Sequence, residues 1–386
     1  MAQVIAWPSP SDYSTAIQNP RHCFSDAELR AGSVAANRLG LPLGASGNFA
    51  VVYRVEGPAR AFAVRCFIRT VTDQQQRYDA LSRYLRGFRL PALVDFAYLP
   101  EGIRVRGHSY PLVRMEWIAG KQLHQYVNDA LEQGPVLSRL AAQWRELVAS
   151  LRRAHIAHGD LQHGNVLVDA AGRLRLVDYD GMFIPAWRGR PPGESGHPNY
   201  QHPERVERGY YEENADAFSD LVIYLSLLAV KADPRLWTFH TGENLIFVAE
   251  DYGAPGQTPI WGRLLASPDA EVRRLTGALE GFCRRPVALL PDLEMVAQDV
   301  PRPVAKTANR APATSMARSA VPAPTGTPAL QPPATVHCAK CGRANSADSI
   351  YCQSCTHQLC GNRFCSHCGR SIPVKSRYCP ECGAKL

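Results

Sequence analysis

The chain has 386 residues, of which 45% are hydrophobic and 20% are charged. This composition is typical of a soluble globular protein with two or three domains. The longest apolar run, near Leu221–Val230, is about half as long as a bilayer span requires, and this length is too short for a membrane helix. No basic-then-apolar signal segment opens the chain, so the sequence predicts a cytoplasmic protein.

Residues 1–40 precede the first regular pattern and form a predicted N-terminal extension. Ser25 and Glu28 have the spacing of a helical capping box. Trp7 and Tyr13 are candidates to pack on the body that follows. The sequence assigns this extension no chemical role.

From residue 41 onward the apolar pattern predicts strands first and helices later. This order predicts an α+β fold with two lobes, the first rich in strands and the second helical. The predicted strands are 49–55, 61–68 and 110–118, and the predicted helices are 73–86, 138–156 and 216–230.

The most informative stretch is residues 158–165, with the sequence His-Gly-Asp-Leu-Gln-His-Gly-Asn. It is followed, after a predicted hairpin, by the turn Asp-Tyr-Asp-Gly at 178–181. Phosphoryl transfer requires positioning and neutralisation of charge by Mg²⁺. The carboxylate of Asp160 suits the incoming hydroxyl, and the side chains of Asn165 and Asp178 suit the metal ions. An ordinary turn explains either motif alone, but the two at this spacing indicate a phosphotransferase.

These motifs resemble the protein kinase family, and the resemblance extends over residues 41–300. It implies a bilobal kinase-like fold, with Asp160 as the catalytic base, Asn165 and Asp178 as Mg²⁺ ligands and Arg65 as the phosphate contact. It also implies that ATP binds beside a hinge in which Met115 is the gatekeeper. The residues that the resemblance places around ATP are Gly47, Val52, Ala63, Met115, Glu116, Ile118 and Leu167.

The phosphate-binding region departs from the kinase pattern. Of the three glycines of the phosphate loop only Gly47 remains, and Arg65 replaces the lysine of the third strand. Arginine keeps the charge, but its planar guanidinium is not interchangeable with an ammonium group. The following helix contains no glutamate, so Asp79 or Gln75 is the best partner that it offers to Arg65.

The catalytic loop departs as well. Gly159 replaces the arginine that normally precedes the catalytic aspartate, so control through a phosphorylated activation loop is not expected. Gln162 replaces the lysine of serine/threonine kinases, and the His-Gly-Asp style also occurs in aminoglycoside and lipopolysaccharide-type kinases. The end of the activation segment is nevertheless matched by His-Pro-Glu at 202–204, and the start of the long helix by 216–219. Arg284 or Arg285 is expected to pair with Glu204.

Residues 301–336 contain eight prolines, four basic residues and no acidic residue, which predicts a flexible linker. The tail, 337–386, holds nine of the twelve cysteines, and eight of them form CxxC pairs that repeat after 27 residues. Four thiolates in each repeat suit a closed structural Zn²⁺ site, and the tail resembles a double zinc ribbon. The predicted ligands of two Zn²⁺ ions are Cys338, Cys341, Cys352, Cys355, Cys365, Cys368, Cys379 and Cys382.

The tail carries a charge of only about +1 once eight thiolates and two Zn²⁺ ions are counted, which disfavours nucleic acid as its partner. The sequence therefore predicts an ATP- and Mg²⁺-dependent protein kinase whose zinc ribbons dock a protein partner. Three alternatives stay open at this point: a pseudokinase that binds nucleotide without transfer, a small-molecule kinase, and a nucleic-acid-binding protein acting through its ribbons.

Overall fold

The computed structural model describes residues 7–47, 49–69 and 73–298, together with the backbone of four short strands between residues 335 and 373. The chain separates into two units, Met1–Pro303 and Val304–Leu386. The predicted linker, 301–336, lies outside the described residues except for the two that begin the first strand of the second unit. The predicted boundaries 1–40, 41–300, 301–336 and 337–386 stay predictions.

The strands of the first unit form two antiparallel sheets. The larger sheet has the order β1-β3-β4-β6-β5, and β2 also pairs with β3. The smaller sheet has the order β7-β8-β9. The strands are β1 Ser33–Val34, β2 Gly44–Ser46, β3 Ala50–Glu56, β4 Ala61–Phe67, β5 Phe96–Val105, β6 His108–Glu116, β7 Gly120–Gln122, β8 Val166–Asp169 and β9 Leu174–Leu176.

The helices are concentrated in the second half of this unit. They are α1 Pro10–Ile17, α2 Pro20–Cys23, α3 Ala27–Arg30, α4 Gln74–Leu85, α5 Leu123–Asp129, α6 Gly134–Arg153, α7 Pro203–Arg208, α8 Ala217–Ala232, α9 Ala249–Gly253, α10 Pro259–Leu265, α11 Ala270–Cys283 and α12 Leu293–Ala297. The order confirms the predicted α+β fold with a strand-rich lobe before a helical lobe. The six predicted elements all occur, with ends displaced by a few residues.

Strand β5 was not predicted from the sequence. Its apolar alternation is interrupted near Gly102, and the pairing register with β6 shifts between Leu99 and Ile103. A bulge of this kind breaks the two-residue period on which a strand prediction depends.

The N-terminal extension packs on the large sheet through Tyr13, one of the two aromatic residues that were candidates for this packing. Tyr13 is fully buried, and its hydroxyl donates to the carbonyl of Phe67 at 2.6 Å. The predicted capping box is displaced by one residue: Asp26, not Ser25, caps α3 by accepting from the N–H of Leu29. Glu28 instead forms an ion pair with Arg114 of β6 at 2.8 Å.

Helix α8 forms the centre of the helical lobe. Every residue from Ala217 to Val230 is buried, so over this length no side of the helix faces water. A helix of this kind is stable only where neighbours cover all its sides, and α6 and α11 pack against it. Trp144 of α6 is fully buried and donates its indole N–H to the carbonyl of Asp220 at 3.0 Å. This packing fixes the platform below the catalytic loop.

The second unit contains two short antiparallel hairpins. Strand β10, Thr335–His337, pairs with β11, Ala344–Ser346, and β12, Asn362–Phe364, pairs with β13, Ser371–Pro373. The two hairpins repeat after the same 27 residues as the cysteine pairs. In the described part of the chain, no helix is long and apolar enough to cross a membrane.

Candidate active site

The carboxylate of Asp160 is held by three hydrogen-bond donors from two segments. Its Oδ1 accepts from the backbone N–H of His197 at 2.7 Å. Its Oδ2 accepts from the side-chain amides of Gln162 at 2.9 Å and Asn165 at 2.8 Å. The residue is only 7% exposed, so these bonds fix the direction of the carboxylate. Gln162, which replaces a lysine, keeps one of the donors.

The catalytic loop is held in place by a very close backbone approach. Gly159 has φ 83°, and a Cβ added there would lie 1.9 Å from the carbonyl oxygen of Gly181. No arginine fits at this position, which explains its absence from the loop in steric terms. The N–H groups of His158 and Gly159 also donate to the carboxylate of Asp216, the residue that precedes α8. The loop is therefore tied to the buried helix beneath it.

Asn165 and Asp178 line the same cleft between the lobes. The amide nitrogen of Asn165 donates to both the carbonyl and the Oδ2 of Asp160, at 2.9 and 2.8 Å. This orientation directs the amide oxygen of Asn165 away from Asp160, and among the described residues that oxygen makes no hydrogen bond. The side chain of Asp178 is 31% exposed, and its Oδ1 binds Arg65.

This pair of oxygen ligands suits Mg²⁺ that is also bound by nucleotide and water, and suits less well a metal ion coordinated by protein side chains alone. Within the described ranges, no three His, Cys, Asp or Glu side chains are arranged to hold a metal ion. Mg²⁺ is commonly bound by one or two carboxylates while nucleotide phosphates and water complete its coordination. One carboxylate and one amide oxygen facing a cleft match that pattern.

Arg65 of β4 binds two carboxylates at the start of the activation segment, 178–204. Its Nη1 pairs with Asp178, and its Nη2 lies 2.6 Å from Oδ2 of Asp180. Burial alone would lower the pKa of Arg65, but the two carboxylates outweigh it and raise that pKa above its ordinary value. The guanidinium therefore stays charged in a place where its side chain is only 13% exposed.

The expected partners of Arg65 on helix α4 were wrong. Asp79 and Gln75 both lie on the exposed side of the helix, and neither forms a bond with Arg65. Sequence reasoning missed Asp180 because it sought the partner on the helix. The signal was present in the turn itself, where a second acid follows Asp178 by two residues.

The cleft above Asp178 has a volume of about 600 Å³. The backbone N–H of Glu116 already donates to the carbonyl of Asp95, and that of Trp117 donates to the carbonyl of Ala61. The N–H of Ile118 makes no hydrogen bond within the described part of the chain and is available to a ligand. Six of the predicted ATP-site residues line this cleft: Val52, Ala63, Met115, Glu116, Ile118 and Leu167.

Gly47 is the exception among the predicted ATP-site residues. It is absent from the cleft lining, and a Cβ added there would meet only the carbonyl oxygen of Ala50, at 3.7 Å. Nothing in the described backbone therefore requires a glycine at this position. The next residue, Asn48, lies outside the described residues.

Glu194 is a buried acid that the sequence did not single out. It lies near Asp178, Asp160 and Asp180, and its Oε1 is buried and has no hydrogen-bond partner among the residues that the structure describes. Burial, followed by the negative charge of Asp178 and Asp160, raises the pKa of Glu194 to about 8. At neutral pH this side chain is therefore mainly protonated.

The expected pairing of Glu204 with Arg284 or Arg285 was also wrong. Glu204 accepts from the backbone N–H of Val287 at 2.9 Å and pairs with Arg208 one helical turn away. Arg284, which directly follows α11, instead pairs with Glu280 of that helix. The activation segment is thus anchored through a backbone donor of the helical lobe.

The eight predicted zinc ligands, Cys338, Cys341, Cys352, Cys355, Cys365, Cys368, Cys379 and Cys382, lie outside the described residues. Each described hairpin falls within one of the two cysteine repeats or at its edge. The assignment of these thiols as metal ligands stays a prediction.

Comparison with known families agrees with these observations. The protein kinase domain family matches residues 41–237, and the double zinc ribbon family matches residues 338–383. The first match covers strands β2 to β9, the catalytic loop, the activation segment and α8. The second covers all eight paired cysteines.

Several curated proteins are similar to this chain. A probable serine/threonine-protein kinase CHK1 homolog of Encephalitozoon cuniculi is 28% identical over 214 residues, which are 50% of this chain and 49% of that protein. A putative CBL-interacting protein kinase 27 of Oryza sativa subsp. japonica is 27% identical over 193 residues, 47% of this chain and 46% of its own length.

A third relative comes from a different class. A 3-deoxy-D-manno-octulosonic acid kinase of Stenotrophomonas maltophilia is 34% identical over 119 residues, 28% of this chain and 43% of that protein. The chain spans about half or less of the length of the curated relatives that it matches.

Proposed function

The chain belongs to the protein kinase domain family and carries a C-terminal double zinc ribbon, and we propose that it is an ATP- and Mg²⁺-dependent protein kinase acting on serine or threonine. The observation that carries the proposal is the arrangement around Asp160. A buried carboxylate with three fixed donors stands next to a cleft that presents Asn165, Asp178 and Arg65.

Each residue has a chemical role in this proposal. Asp160 orients the acceptor hydroxyl and receives its proton, because its carboxylate is held in one direction by its donors. Asn165 and Asp178 hold Mg²⁺, which when bound neutralises charge on the phosphates. Arg65 contacts phosphate oxygens, and the free N–H of Ile118 binds the adenine edge, while apolar side chains of the cleft cover the ring.

The pseudokinase alternative depended on Arg65 and on the missing helix glutamate. The two carboxylates that bind Arg65 supply the partner that the sequence lacked, which supports an active enzyme. The small-molecule alternative keeps one argument, the similarity to a 3-deoxy-D-manno-octulosonic acid kinase. The similarity to two protein kinases, one of them named as a serine/threonine-protein kinase, covers more of the chain and favours a protein substrate.

We propose that the zinc ribbons dock a protein partner. The net charge of the tail is close to zero when the thiolates and Zn²⁺ are counted, so it lacks the electrostatic footprint of a nucleic-acid-binding domain. Paired thiols that bind Zn²⁺ persist in a reducing compartment, which supports the cytoplasm as the place of action.

Incubation of the full chain with labelled ATP and Mg²⁺ tests this function. Mixed protein acceptors and sugar acceptors are supplied in parallel, and Asp160→Asn is the matched control because it preserves size and removes the basic carboxylate. We expect label in protein with the wild type and at least about a hundredfold less with the variant. Label only in sugar supports the small-molecule alternative, and equal label with both proteins supports the pseudokinase.

A further inference from the structure

Contacts from Tyr78 through Asp180 to Arg65 connect helix α4 to the proposed phosphate contact. The hydroxyl of Tyr78, on α4, donates to Oδ1 of Asp180. The other oxygen of Asp180, Oδ2, lies 2.6 Å from Nη2 of Arg65. Tyr78 is 5% exposed and the side chain of Asp180 is 19% exposed, so this connection is largely shielded from water. Ion pairs and hydrogen bonds are stronger where solvent screening is weak.

We propose that Asp180 is a positioning residue that replaces the missing glutamate of helix α4. It holds the guanidinium of Arg65 in place, and Tyr78 connects this carboxylate to the helix. The inference rests on the proposed function, because it assigns Asp180 a role through Arg65 and the nucleotide. Asp180 itself touches neither the nucleotide nor the reacting atoms in this proposal.

The rigidity of the turn supports this role. Tyr179, between the two acids, is 3% exposed, and its hydroxyl accepts from the N–H of Val94 at 2.7 Å and donates to the carbonyl of Leu176 at 2.9 Å. With Tyr179 anchored in the core, Asp178 and Asp180 are held on either side of it. One turn therefore carries both the proposed metal ligand and the anchor of the phosphate contact.

The planar guanidinium explains why arginine suits this arrangement. A guanidinium presents several donors in fixed directions, so Arg65 binds Asp178 with Nη1 and Asp180 with Nη2 at the same time. Its Nε is buried and has no hydrogen-bond partner among the described residues. A lysine ammonium has one nitrogen and does not reproduce two separate attachments with the same geometry.

Helix α4 contributes a neutral hydroxyl and not a charge. Its position is also fixed by Arg77, which donates to the carbonyl of Pro191 at 2.9 Å and lies over the ring of Trp187. Loss of the Tyr78 hydroxyl should therefore weaken the positioning of Arg65 in part, whereas loss of the Asp180 charge should remove most of it.

A double-mutant cycle on nucleotide affinity tests the proposal. The Kd for MgATP is measured by calorimetry for the wild type, Asp180→Asn, Arg65→Gln and the double variant, all in the full chain. We expect Asp180→Asn to weaken binding about tenfold in the wild-type background and less than about twofold beside Arg65→Gln, because it acts through Arg65. Equal effects in both backgrounds would overturn the proposal.

Two tyrosines of the same helix provide a matched pair. Tyr78→Phe removes the hydroxyl that binds Asp180 and keeps a ring that stacks on Tyr98. Tyr84→Phe is the control, because its hydroxyl donates instead to the carbonyl of Ala154 at 2.9 Å. We expect about a threefold loss of MgATP affinity for Tyr78→Phe alone, and none beside Arg65→Gln. This pair decides the question if Asp180→Asn does not fold, and equal behaviour of the two tyrosine variants would contradict the proposal.

Binding and transfer are recorded separately so that the two claims can fail separately. A wild type that binds MgATP with the expected coupling but transfers no label retains the positioning role and contradicts the kinase activity. A wild type that transfers label and shows additive effects retains the activity and contradicts the positioning role. A wild type that does not bind MgATP contradicts both.

Discussion

The backbone N–H of His197 lies 2.7 Å from Oδ1 of Asp160 and donates to it. This bond joins the end of the activation segment directly to the proposed catalytic base, and it uses the main chain and not the imidazole. The conformation of the segment at this point therefore sets the direction of the carboxylate. The residue before His197 is Gly196, with φ 75°.

Replacement of Gly196 by alanine should disturb this contact. A Cβ there would lie 2.6 Å from Nε2 of Gln201 and 3.0 Å from Oδ1 of Asp160. We expect Gly196→Ala to lower kcat by at least about tenfold, because the carboxylate has to move. The control is Gly189→Ala, in the same segment at φ 79° with nothing within 4 Å of the added Cβ. It should cost about 1–2 kcal/mol of stability and leave transfer close to wild type. Equal kinetics for the two variants would refute the assigned contact.

Arg65→Lys tests whether the site requires a guanidinium. The single ammonium of lysine loses one of the two attachments to Asp178 and Asp180. We expect kcat/KM for ATP to fall by about 10–100-fold, and steady-state kinetics with varied ATP measure it. Arg83→Lys, on the exposed face of α4, is the control and should change nothing. An unchanged or faster Arg65→Lys enzyme would show that the site only tolerates arginine.

Nucleotide binding should depend on Mg²⁺ and on Asp178, because this carboxylate is assigned to the metal ion. Saturating ATP and Mg²⁺ should raise the Tm of the wild type by several degrees, as measured by thermal denaturation. The increase should be much smaller for Asp178→Ala, and also for the wild type in the presence of a chelator. The same increase in all three samples would rule out this metal site.

Glu194→Gln should stabilise the metal-free protein increasingly as the pH rises. The pKa of Glu194 is about 8 in the folded protein and near 4.5 when unfolded. Between these values the folded state holds a proton that the unfolded state has lost, so the wild type loses stability as the pH rises. Glutamine does not titrate. We expect the difference in Tm to grow from about pH 5 to pH 8, which denaturation scans with a chelator measure. A difference that does not change with pH would contradict the assigned pKa.

The tail should bind two Zn²⁺ ions per chain, one in each cysteine repeat. Elemental analysis of metal-replete protein should give two equivalents, and Cys341→Ser should reduce this to one while nucleotide binding by the first unit is retained. Cys360→Ser is the control, because Cys360 lies outside the CxxC pairs, and it should retain both ions. Fewer than two equivalents in the wild type would count against the duplication.

Much of the architecture follows from local sequence. The period of apolar residues predicted α4, α6 and α8, since one face of each helix, or in α8 the whole surface, is buried. The spacing of Asp160, Asn165 and Asp178 is short and includes one hairpin, so the chain itself brings these residues close together. The paired cysteines are likewise close in sequence. Local spacing therefore determined which residues carry the proposed chemistry.

The partner of Arg65 was decided by the tertiary structure. Helix α4 and the activation segment are far apart in sequence, and only the packing of the two lobes places Asp180 between Tyr78 and Arg65. The steric requirement for Gly159 arises in the same way, from the approach of Gly181. Hydrophobic periodicity reports which face of an element is buried, but it does not report which element covers it. For that reason the sequence identified Arg65, Asp160 and Asp178, while the fold added Asp180 and Glu194 and determined how these groups pair.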